Sequence, residues 1–304
     1  MNNRIRTSLL ILACFGVGVG LSACNDDVKL TEAKPVQHPI IEMKDGQKVK
    51  VGVYTVPQDT EIDKEPNADE IRYGARLLTE TKRLLPDNVG DDINCNSCHI
   101  AGGKVAEAAP YINTYNAYPM MNPRAGREVN LVERINGCFQ RSMNGKPIDP
   151  EGKEMKAMIA YMKWLGQGVP KGQKVAIKNA YPINTKLVAD PIRGKTLYEK
   201  NCAVCHGMNG EGKRDGTGTI AFPPLWGDHS FNIGAGMART YKAAAFLKTG
   251  MPMGIKHDGV WGQGGLSDQD VVDIAEYFTH QDRPDFPGKV NDWPNGKKPK
   301  DARY

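Results

Sequence analysis

Apolar positions recur at helical spacing in several separated stretches of this chain. A first helix is predicted around Ile71 to Leu85 and another around Glu154 to Leu165, whose inner stripe is Met155, Met158, Ile159, Met162 and Leu165. Methionines at that spacing read as core. Val129, Val132, Ile135 and Phe139 keep the same period, with Gly145 and Pro147 as a stop. Leu197 and Tyr198 sit in a short helix, and Val271, Val272, Ile274, Ala275, Tyr277 and Phe278 in a last one. Ser267 is positioned as N-cap of that last helix, which should end near His280, ahead of Pro284. Between the helical groups, Gly166 to Asp190 shows no sustained period and contains Pro170, Gly172 and Pro182, which reads as a linker. Residues 25 to 65, with Pro35, Pro39 and Pro57, read as a tether wrapping the first domain, and the Pro-, Gly- and Lys-rich tail after Pro284 as extended chain. The pattern predicts a mainly α protein of two domains joined by a linker behind an N-terminal extension.

The apolar run at the start has a different meaning. Arg4 and Arg6 precede Leu9 to Leu21, a run of about 13 residues where roughly 20 are needed to span a bilayer. Polar residues follow at once, which is the layout of an export signal. Leu21-Ser22-Ala23-Cys24 resembles the bacterial lipobox, so residues 1–23 are expected to be removed and Cys24 to carry a lipid that anchors the protein to a membrane surface. Ordinary cleavage after Ala23 would instead leave a soluble periplasmic protein. Arg4 and Arg6 account for two units of the formal net charge of +5, so the basic excess is partly a processing signal. No Lys/Arg block with interleaved aromatics is present, which excludes a nucleic-acid-binding reading.

Seven cysteines lie among the 304 residues, at 14, 24, 95, 98, 138, 202 and 205. Their wide spacing rules out a disulfide-dense small fold. Cys95-Asn96-Ser97-Cys98-His99 and Cys202-Ala203-Val204-Cys205-His206 both read C-x-x-C-H. Two thiols at i and i+3 reach the two vinyl groups of one porphyrin as thioethers, and the next imidazole then lies on the ring axis, where it can ligate iron. Zinc is the usual competitor, but it would pool the cysteine pairs or join one pair to two histidines. These pairs stand more than 100 residues apart, each inside its own helical pattern. Two covalently bound haem c groups follow, with Cys95, Cys98, Cys202 and Cys205 as attachment points and His99 and His206 as iron ligands. Residues 191 to 283 then resemble the mitochondrial type of cytochrome c fold, and the stretch around the first site repeats the scheme less tidily.

The second axial place on each iron decides whether a haem carries electrons or does chemistry. Cys138 is the one cysteine left after processing and attachment. On a helix, Arg134, Cys138 and Ser142 share a face, which sets a thiol between a guanidinium and a hydroxyl. A nearby Arg favours the thiolate that iron binds; the alternative is a buried free cysteine acting as a small hydrophobe. For the second haem, Lys248-Thr249-Gly250-Met251-Pro252-Met253 precedes the last helix. Met251 is the candidate ligand, with Met253 next and Met237, His229 and His257 behind them.

These residues resemble a family, the dihaem cytochrome c thiosulfate dehydrogenases that form tetrathionate. The likeness spans residues 66 to 283 and rests on Arg134-x-x-x-Cys138-Phe139-x-Arg141-Ser142-Met143-Asn144-Gly145, with Arg124 upstream, and on Phe231 to Met237 and Gly250-Met251-Pro252. It implies a first domain of SoxA type with a His/Cys haem and a second, Met-ligated cytochrome c domain. Carried over, Cys138 is the catalytic haem ligand, Arg124 and Arg134 bind the anionic substrate, and Ser142 completes the pocket. Where Gly250 stands the family more often has Asn, which bears on the second haem's potential. The implied substrates are thiosulfate and tetrathionate, and the implied partner a c-type cytochrome or similar electron acceptor. A tetrathionate reductase, a SoxA-like carrier subunit and a plain electron-transfer cytochrome are the competing readings. The expected organisation is a signal peptide at 1–23, an extension at 24–65, a catalytic domain at 66–170, a linker at 171–190 and an electron-transfer domain at 191–304.

Overall fold

The computed structural model describes residues 35–257 and 260–304. The expected signal segment, with Cys14 and Cys24, lies outside the described residues. The main helices are α1 (Ala68–Thr79), α2 (Leu131–Arg141), α3 (Lys153–Leu165), α4 (Pro191–Asn201), α5 (Thr240–Gly250) and α6 (Asp268–Thr279). Small sheets accompany them.

One packing device is used twice. In the first half α1 crosses α3, and in the second α4 crosses α6, each through a glycine set against the partner's backbone. A Cβ added at Gly74 would lie 2.0 Å from the Ala157 carbonyl oxygen, and one at Gly194 would lie 2.0 Å from the Asp273 carbonyl oxygen. Neither distance is physically possible, so glycine is what permits each approach. Around the first crossing, Ile71, Leu77, Leu78, Met155, Met158 and Leu165 are buried; around the second, Tyr198, Val271, Ile274 and Phe278. Ser267 caps α6 as expected, its side chain accepting from the Asp270 N–H.

The helix expected over Ile71 to Leu85 is interrupted. α1 stops at Thr79, and a separate short turn runs from Thr81 to Leu84. The Thr81 hydroxyl donates to the Leu78 carbonyl at 3.3 Å and accepts the Cys95 N–H at 3.0 Å. The break therefore fixes the start of the first C-x-x-C-H turn.

Residues read as tether and linker hold a sheet. Strands β1 (Gln37–Lys44), β2 (Gln47–Thr55) and β3 (Gln173–Val175) pair antiparallel in the order β2-β1-β3. The signal was Asp45-Gly46, a two-residue turn with φ of 50° and 76° joining Lys44 to Gln47. The neighbouring prolines pointed away from strands, and Pro39 is accommodated because β3 begins its pairing at Ile40. Ile40 and Tyr54 are buried with Ile112, Val169 and Val175, and the Tyr54 hydroxyl donates to the Leu165 carbonyl at 2.6 Å. The sheet thus closes the end of α3.

The C-terminal tail likewise does more than extend. Asp292, whose side chain is nearly buried, accepts two hydrogen bonds from Arg141 at 2.7 and 2.8 Å and one from the Tyr304 hydroxyl at 2.5 Å. The Trp293 N–H donates to the Arg124 carbonyl at 2.8 Å. The tail therefore fastens to the last residue of α2 and to the segment before that helix.

The two crossings give a direct test. Gly74→Ala and Gly194→Ala should each lower the stability of the haem-loaded protein by about 1–3 kcal/mol, because the helices must move apart. Thermal unfolding with both haems attached would show it, and unchanged melting would mean the helix pairs are not held this closely.

Candidate functional site

The first attachment turn is built by short-range polar contacts. Cys95–Ser97 forms one 3-10 turn. The Asn94 side chain accepts the Lys82 N–H at 2.9 Å, while the Ser97 hydroxyl accepts the Asn94 N–H at 3.2 Å. His99 follows with its Nδ1 2.5 Å from the Ala109 carbonyl oxygen and its ring stacked on Tyr111 at 4.2 Å. A carbonyl only accepts, so Nδ1 carries the proton and Nε2 keeps its lone pair. Desolvation lowers the His99 pKa to about 4, which keeps the ring neutral at pH 7, as a metal ligand must be.

α2 supplies the other wall. Asn130 caps it, accepting the Glu133 N–H at 2.8 Å, while the Glu133 carboxylate accepts the Asn130 N–H at 2.9 Å. Leu131, Ile135 and Phe139 are buried on one side. Cys138 is half-buried, and the solvent-accessible Arg134 donates from Nη1 to its Sγ. The neighbouring Cys138 is the first cause that raises the Arg134 pKa, so the guanidinium is held charged beside the sulfur. Desolvation pushes the thiols of Cys95 and Cys98 up to about 12, and Cys138 adds to the shift of both. Cys95, Cys98, His99, Arg134 and Cys138 therefore belong to one site, with Tyr111 and Tyr118 beside the arginine. The helix stops at Ser142, whose N–H donates to the Cys138 carbonyl, and Asn144 then turns the chain with φ of 43°.

Arg124 is anchored differently from Arg134. Its Nη1 donates to the Gly234 carbonyl at 2.5 Å, its Nε lies 3.8 Å from the Asp292 carboxylate, and its guanidinium lies over Trp293 at 5.4 Å. Burial lowers its pKa to about 10. Asp292 and Trp293 were missed in the sequence because a Pro- and Lys-rich tail gives no periodic signal, and Arg141, quoted there within the family segment, was given no role.

The second site repeats the first turn's logic. Cys202 and Cys205 are half-buried, and desolvation pushes Cys202 up to about 12. His206 places Nδ1 2.8 Å from the Pro223 carbonyl oxygen, again fixing the proton there, and desolvation lowers its pKa. Met251 follows α5 and is half-buried against Ile100, Phe246 and their neighbours, whereas Met253 is 54% exposed. The five described cysteines are all free. Among the described residues no three His, Cys, Asp or Glu side chains converge as a bare ion would need. A porphyrin brings four nitrogens of its own, and both oriented imidazoles fit it.

Asp91 escaped the sequence reading. It is fully buried below the turn after α2, its N–H donating to the Met143 carbonyl at 3.2 Å, and neither carboxylate oxygen has a partner. Desolvation raises its pKa to about 8.

Two cytochrome c domains define the class. The chain matches the family described as SoxA/TsdA, cytochrome c domain, over residues 89–170, and the family described as cytochrome c over residues 192–282. It is 39% identical to a thiosulfate dehydrogenase of Psychrobacter arcticus, with 98% of each chain covered. It is 37% identical to one of Allochromatium vinosum, over 78% of this chain and 87% of that one. The solved thiosulfate dehydrogenase TsdBA of Marichromatium purpuratum superposes with a TM-score of 0.69 at 35% identity, over 77% of this chain. The present chain spans 50% of that longer one. The protein belongs to the thiosulfate dehydrogenase family.

Asp91 yields a pH prediction. Between pH 4 and 8 the folded protein holds a proton that the unfolded chain has released, so Asp91 makes stability fall as pH rises through that window. Asp91→Asn should remove that part of the slope and raise stability above pH 8 by about 1–3 kcal/mol. Unfolding curves of the haem-loaded variant at pH 5 and pH 8.5 test it; parallel curves for variant and parent would contradict it.

Proposed function

We propose that this protein oxidises thiosulfate, joining two molecules into one tetrathionate at a first haem ligated by His99 and Cys138, with electrons leaving through a second haem ligated by His206 and Met251. The observation that carries this reading is the pairing of Arg134 with Cys138 in the same site as Cys95, Cys98 and His99. Family membership supplies the substrate class. The haems, held by the thioethers of Cys95 and Cys98 and of Cys202 and Cys205, would each supply a one-electron acceptor when bound.

The obstacle to the reaction is electrostatic, since two dianions must meet. Arg134 offsets that repulsion, and its planar fork suits sulfonate oxygens through charge-assisted hydrogen bonds. Arg124, anchored on Gly234 and Asp292 of the second half, is assigned to the same task, and Ser142 to the pocket wall at the end of α2. In the first step the Cys138 sulfur bonds to the outer sulfur of one thiosulfate and two electrons leave, which the two haems would accept when bound. Cys138 then carries a sulfur-sulfur bond ending in a sulfonate. In the second step the outer sulfur of another thiosulfate attacks the sulfane sulfur of that adduct. The bond to Cys138 breaks, tetrathionate departs and the thiolate is restored. Two thiosulfates thus become one tetrathionate and two electrons, which a c-type cytochrome or similar protein accepts. The half-exposed placement of Met253, against the more enclosed Met251, favours Met251 as ligand. The N-terminal Arg4, Arg6, apolar run and Leu-Ser-Ala-Cys24 favour export to the periplasm with a lipid at Cys24.

Thiosulfate added to the haem-loaded protein should reduce a c-type acceptor, with one tetrathionate formed per two thiosulfates. Cys138→Ala should cut turnover by at least about 10³-fold, the scale expected when a reacting nucleophile is removed. Both haems should remain attached. A variant that turns over normally would exclude Cys138 from the chemistry.

A further inference from the structure

The loop that follows the first attachment turn holds more strain than any comparable described stretch. Ala101, Glu107 and Ala109 have φ of 52°, 63° and 52°, so three of the six described non-glycine residues with positive φ fall within this one segment. Such conformations cost on the order of 1 kcal/mol or more each and persist where surrounding contacts demand them. The contacts here are specific. The Ala109 carbonyl accepts from His99 Nδ1, and the Glu107 carbonyl accepts from the Thr249 hydroxyl at 3.2 Å. Residues 178–179 brace the loop from behind: the Glu107 N–H donates to the Lys178 carbonyl at 2.8 Å, and the Ala109 N–H to the Asn179 carbonyl at 3.0 Å.

The start of the loop reaches the same target. Ile100, adjacent to His99, is buried with Ala108 and Phe246, and Met251 packs against that cluster with Val105 and Met237. A Cβ on Gly250 would lie 3.3 Å from Ile100 Cδ1 and 3.2 Å from the Phe246 ring. Thr249 and Met251 are therefore seated on the first domain by a hydrogen bond and an apolar contact, with the Ile100 side chain close to Gly250 between them.

We propose that the loop from Ile100 to Ala109 is the positioning element for Met251, so that methionine coordination of the second haem is set by the segment that also orients His99 of the first. Ile100 and the Glu107 carbonyl act through Met251 and Thr249; neither is a catalytic residue. The inference rests on the reading of Met251 as the axial ligand. It makes the ligand field at the two irons depend on one stretch of strained backbone. A shift of this loop caused at either domain would be felt at the other.

The test uses the full chain with both haems attached, and reads the charge-transfer band of methionine-ligated ferric haem together with the midpoint potential of the second haem. Thr249→Val removes the cross-domain hydroxyl at nearly constant shape, and Ile100→Ala removes the apolar seat. Each should lose part of the methionine band and lower the second haem's potential, since methionine ligation raises it. Thr249→Ser, which keeps the hydroxyl, should restore both signals. Thr249→Val and Ile100→Ala proteins that melt normally and keep the full band and potential would overturn the proposal. Met251→Ala should abolish the band outright. If it does so while the loop variants are silent, the ligand reading stands and the positioning role falls. If Met251→Ala keeps the band, both fall.

Discussion

Each histidine next to an attachment turn is held by one hydrogen bond, from Nδ1 to a backbone carbonyl, and the remaining geometry depends on it. Ala109 serves His99 and Pro223 serves His206. That bond fixes the tautomer, leaves the Nε2 lone pair free for a metal and strengthens the imidazole as a donor. On the proposed reading, the second residue to bind each iron would then determine the chemistry. In the first domain α2 presents Cys138 with an arginine attached to its sulfur, and in the second the chain leaving α5 presents Met251. On the proposed ligation, one covalent motif used twice would give two unlike irons.

The scaffold serves this division. Glycine crossings at Gly74 and Gly194 bring the first and last helices of each half into backbone contact, leaving the attachment turns and the helices facing them to frame the sites. The two halves are then joined where function needs them joined. Asp292 binds Arg141 on the Cys138 helix, Gly234 binds Arg124, and Ile100 and Glu107 receive the Met251 segment. Electron transfer between the sites, as proposed, would therefore cross a packed interface rather than a flexible joint.

Much of this was legible in the sequence, and the misses have physical causes. The C-x-x-C-H repeats, the stripes of α3 and α6, the Ser267 cap and the helix carrying Cys138 are all local patterns, so the chain states them directly. The Asp45-Gly46 hairpin was also stated, but prolines at 35, 39 and 57 masked it. The tail's attachment through Asp292 and Trp293 could not be read, because its partners lie more than 150 residues earlier and a single carboxylate carries no pattern. Asp91 was invisible for the same reason: its burial follows from the turn after α2, not from its neighbours in sequence. Arg134 was paired with Cys138 by helical spacing alone, whereas the placement of Arg124 needed the fold.

The account turns on a covalent event at one sulfur. Peptide mass analysis of the oxidised, haem-loaded protein after a brief exposure to limiting thiosulfate measures it directly. The account predicts that the peptide containing Cys138 gains the mass of one thiosulfate unit through a bond that a thiol reductant removes, with two electrons appearing on the haems. Haem reduction and tetrathionate formation with Cys138 unmodified at every time sampled would contradict it.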